Sequence, residues 1–429
     1  MFVLDVKNFY RFNITYEQSV FNEMKEDYFG LTISAHLILF YEKFFSTFLR
    51  ELDKPFFIDT VSYVFARDLV NIKKIDKDGN LALKKSFQKL VNYCNGNIKT
   101  ILDTREFIPK DFFDNNGELI NEFSNKLISF QKDFFSKNSI KAFEKYSKIL
   151  DKPIGSLNPL FLTTPYFYFD SMNDPWYRIS LKMAQASISM KEEFDLYAII
   201  CFSKELLLNF DITKKIVKDY SEFDGYIFWI SDFDEKIMSP IYLSGLVNFI
   251  EKLGANGKPI YNLYGEYFSL LLSKMGLSGY SRGLGFSEKK FVDACVTGGG
   301  QPKRYYYPLL HYSVSETAAI QFYSVFPKLL CNCEICQSIR KDLNISNNPS
   351  LKDIENFFNQ FNFTFDSKKH LVNSHAKEIN DIAISTIKEI IIQLKEKVKF
   401  YDNNTLDIYS LRDSHLKNWL ECLIKYSDL

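Results

Sequence analysis

Residues 195–265 read DLYAIICFSKELLLNFDITKKIVKDYSEFDGYIFWISDFDEKIMSPIYLSGLVNFIEKLGANGKPIYNLYG, and they decide the fold. DLYAIICF from Asp195, DGYIFWIS from Asp224 and KPIYNLYG from Lys258 are short apolar runs rich in β-branched and aromatic residues. Between them, SKELLLNFDITKKIVKDY and YLSGLVNFIEKLGANG carry apolar residues at helical spacing, the second closed by glycine. Buried strands that alternate with helices indicate a parallel sheet.

The pattern extends both ways. Downstream, YFSLLLSKMG predicts a helix, and GYSRGLGF and KFVDACV predict two further strands. Upstream, PYFYFD predicts a strand ending on Asp170, then the turn SMNDPW and a helix over RISLKMAQASISMKEEF. PFFIDTVSYVF from Pro55 predicts a short buried strand with Asp59 at its end. TISAHLILFYEKFFSTFLRELD from Thr32 has helical spacing and holds His36, read as a packing residue. From Ser86 to Tyr146 the chain reads as helices joined by polar turns, with no chemistry.

Six or seven such units fit a (β/α)8 TIM barrel, an α/β fold, better than an open sheet. No GxGxxG opens a helix after the first strand, which counts against a dinucleotide-binding fold. In a barrel, residues that follow the strands converge on one face. Asp59, Asp170, Cys201, Trp229, Gly265 and Asp293 are placed there.

The 429 residues, 46% hydrophobic, suffice for one large domain with an appendage or for two. Lys+Arg and Asp+Glu balance at 53 each, so a globally basic nucleic-acid binder is not indicated and any such contact must be local. The N-terminal MFVLDVKNFYRFN has no uninterrupted apolar run, so no secretory signal is expected. No apolar stretch is long enough to span a membrane. Seven cysteines, an odd number, with three clustered, suit a reducing cytoplasm better than a disulfide framework.

Chemistry concentrates between Phe291 and Cys336, FVDACVTGGGQPKRYYYPLLHYSVSETAAIQFYSVFPKLLCNCEIC. Cys331, Cys333 and Cys336 need one more ligand for the tetrahedral site that zinc prefers; His370 and His375 lie downstream, and His375 is selected. A closed four-ligand site is structural. Asp59 and Asp293 can divide labour as proton carrier and nucleophile, or cap loops. Asp170 can accept hydrogen bonds from the ring N–H groups of a base. Gly298-Gly299-Gly300 lacks a following Gly-Lys-Ser/Thr and reads as a mobile turn next to Asp293, with phosphate binding as the alternative. Lys303, Arg304 and Tyr305 to Tyr307 combine cations with ring faces, which suits a nucleic-acid backbone and an unstacked base, or equally a solvated loop over packed aromatics. The chain divides into a barrel over 1–330 with a helical insertion around 86–150, a zinc-binding subdomain over 331–380, and a helical extension over 381–429 that caps the fold or binds a partner.

These pieces resemble, in order and over most of residues 30–380, the tRNA-guanine transglycosylase superfamily. IDTVSYVF resembles its first acid segment, YFYFDSMNDP its base-recognising strand, FVDACV its nucleophile segment, and CNCEIC with His375 its Cys-x-Cys-x-x-Cys…His zinc site. Val61 stands where the family has glycine and Tyr63-Val64 where it has Phe-Gln. Cys201 replaces a base-contacting Gln-Gly, and Trp229 lies near an expected Gly-Gly. LYGEYFSLL, GYSRGLGF and PKRYYYPLLH look more like the branch acting on DNA.

The resemblance implies a zinc-bearing pentosyltransferase that exchanges guanine in DNA for a 7-deazaguanine such as 7-cyano-7-deazaguanine. Asp293 would be the nucleophile and Asp59 the general acid/base. Asp170, Cys201, Trp229, Gly265, Lys303, Arg304 and Tyr305 would contact substrate, and structural Zn2+ would be held by Cys331, Cys333, Cys336 and His375. The alternatives are a tRNA-acting enzyme and a non-catalytic subunit that pairs, with itself or another chain, through the zinc region.

Overall fold

The computed structural model describes residues 6–13, 17–67, 72–75, 77, 79–94, 96–104, 107–114, 116–150, 157–285, 290–293, 303–404 and 413–427; at 81, 96, 103–104 and 135–150 it describes only the backbone. Gly298-Gly299-Gly300 and the end of KFVDACV lie outside the described residues.

Eight strand positions curl into a near-closed parallel α/β barrel. They are β1 (Lys7–Phe12), β2 (Gly30–Ser34), β3 (Phe56–Asp59), the interrupted pair β6 (Leu162–Thr163) and β7 (Tyr168–Phe169), β8 (Leu196–Ser203), β9 (Gly225–Ser231), β10 (Ile260–Asn262) and β11 (Gly279–Gly283), with a small hairpin of β4 (Lys73–Ile75) and β5 (Leu81–Leu83) between. Neighbours follow chain order, and β1 pairs in parallel with β11, Lys7 opposite Gly279. The seam between β3 and β6 has no ladder. Bonds from Leu160 N–H to the Phe56 carbonyl (2.7 Å) and from Ser62 Oγ to the Tyr166 carbonyl (2.7 Å) bridge it.

β8 and β9 are buried on both faces almost throughout, as their unbroken apolar runs require. Helices pack outside and begin where the sequence supplies caps: Asp174 Oδ1 accepts from Trp176 N–H ahead of the helix Pro175–Ile188, and Asn209 Oδ1 caps Phe210–Asp219. Inside, alternate residues form layers. Phe9, Phe57, Phe161, Tyr197 and Tyr261 make an aromatic plug, with Phe161 stacked on Tyr197 at 4.0 Å. Gly225 makes room for it, since a Cβ there would meet the Tyr197 ring at 2.5 Å.

After the barrel come the antiparallel hairpin of β12 (Arg304–Tyr307) and β13 (Tyr312–Ser315) and the helices Glu316–Val325, Glu334–Asp342, Leu351–Gln360, Asp366–Ile384, Ile387–Asn403 and Ser414–Ser427. They share a core with the barrel's outer face, and Trp419 Nε1–H donates to the Glu235 carbonyl at 2.8 Å. No described helix is long and apolar enough to cross a membrane.

Three expectations need correction. Thr32–Ser34 belong to β2, and helix starts only at Ala35. Of the strand expected over PYFYFD only Tyr168–Phe169, β7, forms, and a separate two-residue piece, β6, precedes that stretch. Residues 290–293 form a turn, so Asp293 does not end a strand; β11 stops at Gly283.

Candidate active site and metal centre

Asp59 is the last residue of β3 and points inward two positions above Phe57 in the plug, fully buried. Its Oδ1 accepts from Val61 N–H at 3.0 Å and from the Tyr166 hydroxyl at 2.9 Å, and its Oδ2 lies 3.7 Å from Arg11 Nη1. Arg11 sits on β1 above Phe9, its guanidinium 3.8 Å from the Tyr264 ring centre, and it donates to the Leu263 carbonyl. Val61 takes φ +47°, the left-handed region that glycine enters freely and a β-branched residue enters at a cost of about 1–2 kcal/mol. The turn after the acid therefore keeps a glycine-like conformation although valine occupies it.

An aromatic roof covers Asp59. Tyr63 packs edge-on against Trp229 at 4.8 Å and stacks on Tyr166 at 5.6 Å, and Trp229 lies 4.6 Å from Tyr264. Trp229 is opposite Cys201 in the β8–β9 register, and both are fully buried. Burial pushes the Cys201 thiol well above its ordinary pKa, so it stays protonated. Cys201 and Trp229, expected to contact a base, are core residues in this state. Gly265 faces away: a Cβ there would lie 2.7 Å from Ser269 Oγ and from Tyr280 Cβ, so it serves close packing rather than a pocket.

Asp293 is on the same side of the barrel, outside the roof. Its segment lies along the end of β9 through Val292 N–H to Ser231 Oγ (3.1 Å) and Asp232 N–H to the Lys290 carbonyl (2.5 Å). Asp293 Oδ2 accepts from Arg67 Nη2 at 2.7 Å, and the Arg67 guanidinium covers the Tyr168 ring at 4.6 Å. Asp170 follows β7 and is exposed beside Tyr168. The two acids thus have separate partners, Asp59 within and Asp293 at the rim. Sequence reading missed Arg11, Arg67 and Tyr166; an arginine at an inward position of KNFYRF was the available signal for the first.

The residues that could hold a metal ion form a compact cluster. Ligand atoms of Cys331, Cys333, Cys336 and His370 lie within 4.8 Å of one another. His370 Nδ1 is 3.1 Å from Cys333 Sγ and 3.6 Å from Cys336 Sγ. Zinc bonds of 2.0–2.3 Å at tetrahedral angles put such atoms about 3.5–3.8 Å apart, so the donor set fits. His370 Nε2–H donates to the Tyr306 carbonyl at 2.7 Å, so in the neutral ring Nδ1 faces the sulfurs without a proton. Backbone N–H groups of Cys333 and Cys336 point at Cys331 Sγ and Cys333 Sγ (3.3 and 3.5 Å). Hydrogen bonds with Cys333 and Cys336 hold the Cys331 thiol far below its ordinary pKa, so the cluster favours a thiolate.

His375 is not the fourth ligand. It lies five residues further along Asp366–Ile384, on another face of that helix. Its Nδ1–H donates to Glu378 Oε2 at 2.8 Å and its Nε2 accepts from the Tyr280 hydroxyl. Glu378 also receives His311 Nδ1–H at 2.6 Å and the Tyr306 hydroxyl at 2.7 Å, which ties the hairpin to the helix. Of the two readings of Lys303–Tyr307, the buried rings fit the one with packed aromatics. Lys303 pairs with Glu316 at 3.0 Å, while Tyr305, Tyr306 and Tyr307 are all buried. Tyr305 stacks on His370 at 4.3 Å with its hydroxyl 3.3 Å from Cys336 Sγ, so it supports the metal cluster and offers no surface to a nucleic acid.

No model of a known protein family matches the chain, and no curated protein matches it. Function therefore rests on the residues. Together they offer a buried carboxylate held by Arg11 and Tyr166, a half-exposed carboxylate held by Arg67, and a Cys3His cluster that could hold a metal ion.

Proposed function

We propose that the chain is a (β/α)8 transglycosylase that exchanges guanine in DNA for a 7-deazaguanine base such as 7-cyano-7-deazaguanine. Zn2+ is its structural ion, held by Cys331, Cys333, Cys336 and His370, and its setting is cytoplasmic. The observation that carries the reading is the pair of carboxylates on one side of a single parallel barrel, where catalytic residues of such barrels gather.

In this reading Asp293 attacks C1′ of the target deoxyguanosine. The C1′–N9 bond breaks, guanine leaves and a glycosyl ester forms on Asp293. Asp59, which must enter the cycle protonated, gives its proton to the departing base and regains one from the incoming base, whose nitrogen then displaces the ester. Asp59 lies beneath Tyr63, Trp229 and Tyr264, so this role requires the roof to part as the base enters. Extrusion of the nucleotide from a duplex costs a few kcal/mol, less for an open strand. The metal would hold the hairpin and the Asp366–Ile384 helix in place and leave no open position for substrate.

One observation favours a second reading. The roof fills the space above Asp59 with the chain's own rings, as expected of a non-catalytic subunit that pairs with itself or another chain through the metal region. Nucleoside mass spectrometry of DNA and tRNA from cells with and without the protein separates the possibilities. A 7-deazaguanine that depends on the protein in DNA alone supports the proposal. The same change in tRNA alone replaces the substrate, and no change in either favours the subunit reading.

A further inference from the structure

A cavity of about 150 Å3 lies between the C-terminal end of β11 and the β12–β13 hairpin, with neither Asp59 nor Asp293 in its described wall. That is well above the roughly 15 Å3 one water needs. Its wall includes Lys236, Glu266, Arg282, Arg304, Tyr312 and Ser313. Arg282 is on the outer face of β11, only 7% exposed, with the Tyr306 ring 5.7 Å from its guanidinium. Its Nε and Nη1 have no hydrogen-bond partner, and Glu266 acts on its charge only from beyond ion-pair distance. A buried guanidinium with donors unused is expensive, since each unmet donor costs about 1–3 kcal/mol.

Among the described residues of the wall the one acid, Glu266, is already engaged. Glu266 pairs with Lys236 at 3.3 Å and with Lys290 at 2.9 Å. Arg282 therefore brings into the described wall a positive charge that no ion pair there neutralises. Gly283 and Gly285 form part of its wall without side chains. The loops after the last two strands of (β/α)8 barrels are a recurrent place for phosphate groups, and guanidinium is the side chain that meets a tetrahedral oxyanion with two parallel N–H bonds.

We infer that this cavity binds a phosphate group, with Arg282 as its anchor. The inference uses neither Asp59 nor Asp293, so it stands independently of the base-exchange reading. The phosphate is that of a polynucleotide backbone or of a small phosphorylated compound.

The test compares wild type with Arg282→Gln in thermal unfolding, with inorganic phosphate against chloride at equal ionic strength, and in binding of a fluorescent single-stranded DNA oligomer. The expected result is a rise of about 2–4 °C in the wild-type midpoint at saturating phosphate, absent in Arg282→Gln. Without phosphate the variant unfolds no earlier than wild type, because loss of the two unmet buried donors offsets the weak contacts with the Tyr306 ring and Glu266. A DNA affinity at least threefold weaker in the variant identifies the backbone as the source; unchanged DNA affinity identifies the small compound. Equal phosphate shifts in the two proteins, or none in wild type, overturn the inference. A variant that unfolds earlier in chloride with no phosphate effect in wild type assigns Arg282 to packing and overturns it too.

Discussion

Arg67 Nη2 lies 2.7 Å from Asp293 Oδ2 at the barrel rim, and both side chains are partly open to solvent. A half-exposed pair of this kind contributes at most about 1 kcal/mol, so it can separate when substrate arrives without a large penalty. Arg67→Gln should therefore change the unfolding free energy by less than about 1 kcal/mol. If Asp293 is the nucleophile, the same substitution should reduce kcat/KM for base exchange at least tenfold by releasing the carboxylate. Denaturant titration and exchange kinetics on one preparation check both halves.

The roof above Asp59 gives a second prediction. Trp229→Ala removes a fully buried indole and should cost about 3–5 kcal/mol. Tyr166→Phe removes one donor to the buried Asp59 carboxylate and should cost about 1–3 kcal/mol. Urea unfolding of the two variants measures these losses. Wild-type stability in Trp229→Ala would mean that the roof is already open in solution.

The two histidines of Asp366–Ile384 should separate cleanly. His370→Ala should lose bound zinc, read as metal per chain after dialysis, because only His370 reaches the sulfurs. His375→Ala should keep the metal and lose about 1–3 kcal/mol through the broken bonds to Glu378 and Tyr280. Loss of zinc in His375→Ala with retention in His370→Ala would reverse the assignment.

Acid should destabilise the fold before most carboxylates titrate. Burial lowers the pKa of His415 to about 4, and burial with the neighbouring Lys397 lowers His311 to about 3. Each binds its proton in the unfolded chain near pH 6.5 but not in the folded one. Their neutral-state stability is thus fully present above about pH 6.5 and is lost as pH falls toward 4. His415 alone, moved from 6.5 to about 4, corresponds to up to roughly 3 kcal/mol. Melting temperatures from pH 7.5 to 4.5 should fall steadily, and His415→Gln should flatten the lower part of that curve.

Much of the barrel was legible because β8 and β9 are buried on both faces and leave unbroken apolar runs between helical segments. β1 was not, because its inward face alternates Phe9 with Arg11 and so reads as mixed. β6 has only two residues and gives no periodicity at all. Three cysteines six residues wide announced a metal site. The choice of histidine depended on helix phase, since five residues rotate a side chain by about 140° and only one of the two can face the sulfurs. Lys303–Tyr307 looked like a cationic aromatic surface, yet its hairpin is enclosed between barrel and helices, which buries the rings. Asp293 was recognised as an acid of interest, but its partner Arg67 is far away in sequence and in a different context.

Incorporation of labelled guanine into DNA by the purified protein tests the central claim most directly. The account predicts that wild type incorporates label, that Asp293→Asn falls at least a thousandfold with an unchanged melting temperature, and that Asp59→Asn is also strongly impaired. Incorporation by Asp293→Asn at the wild-type rate would contradict it.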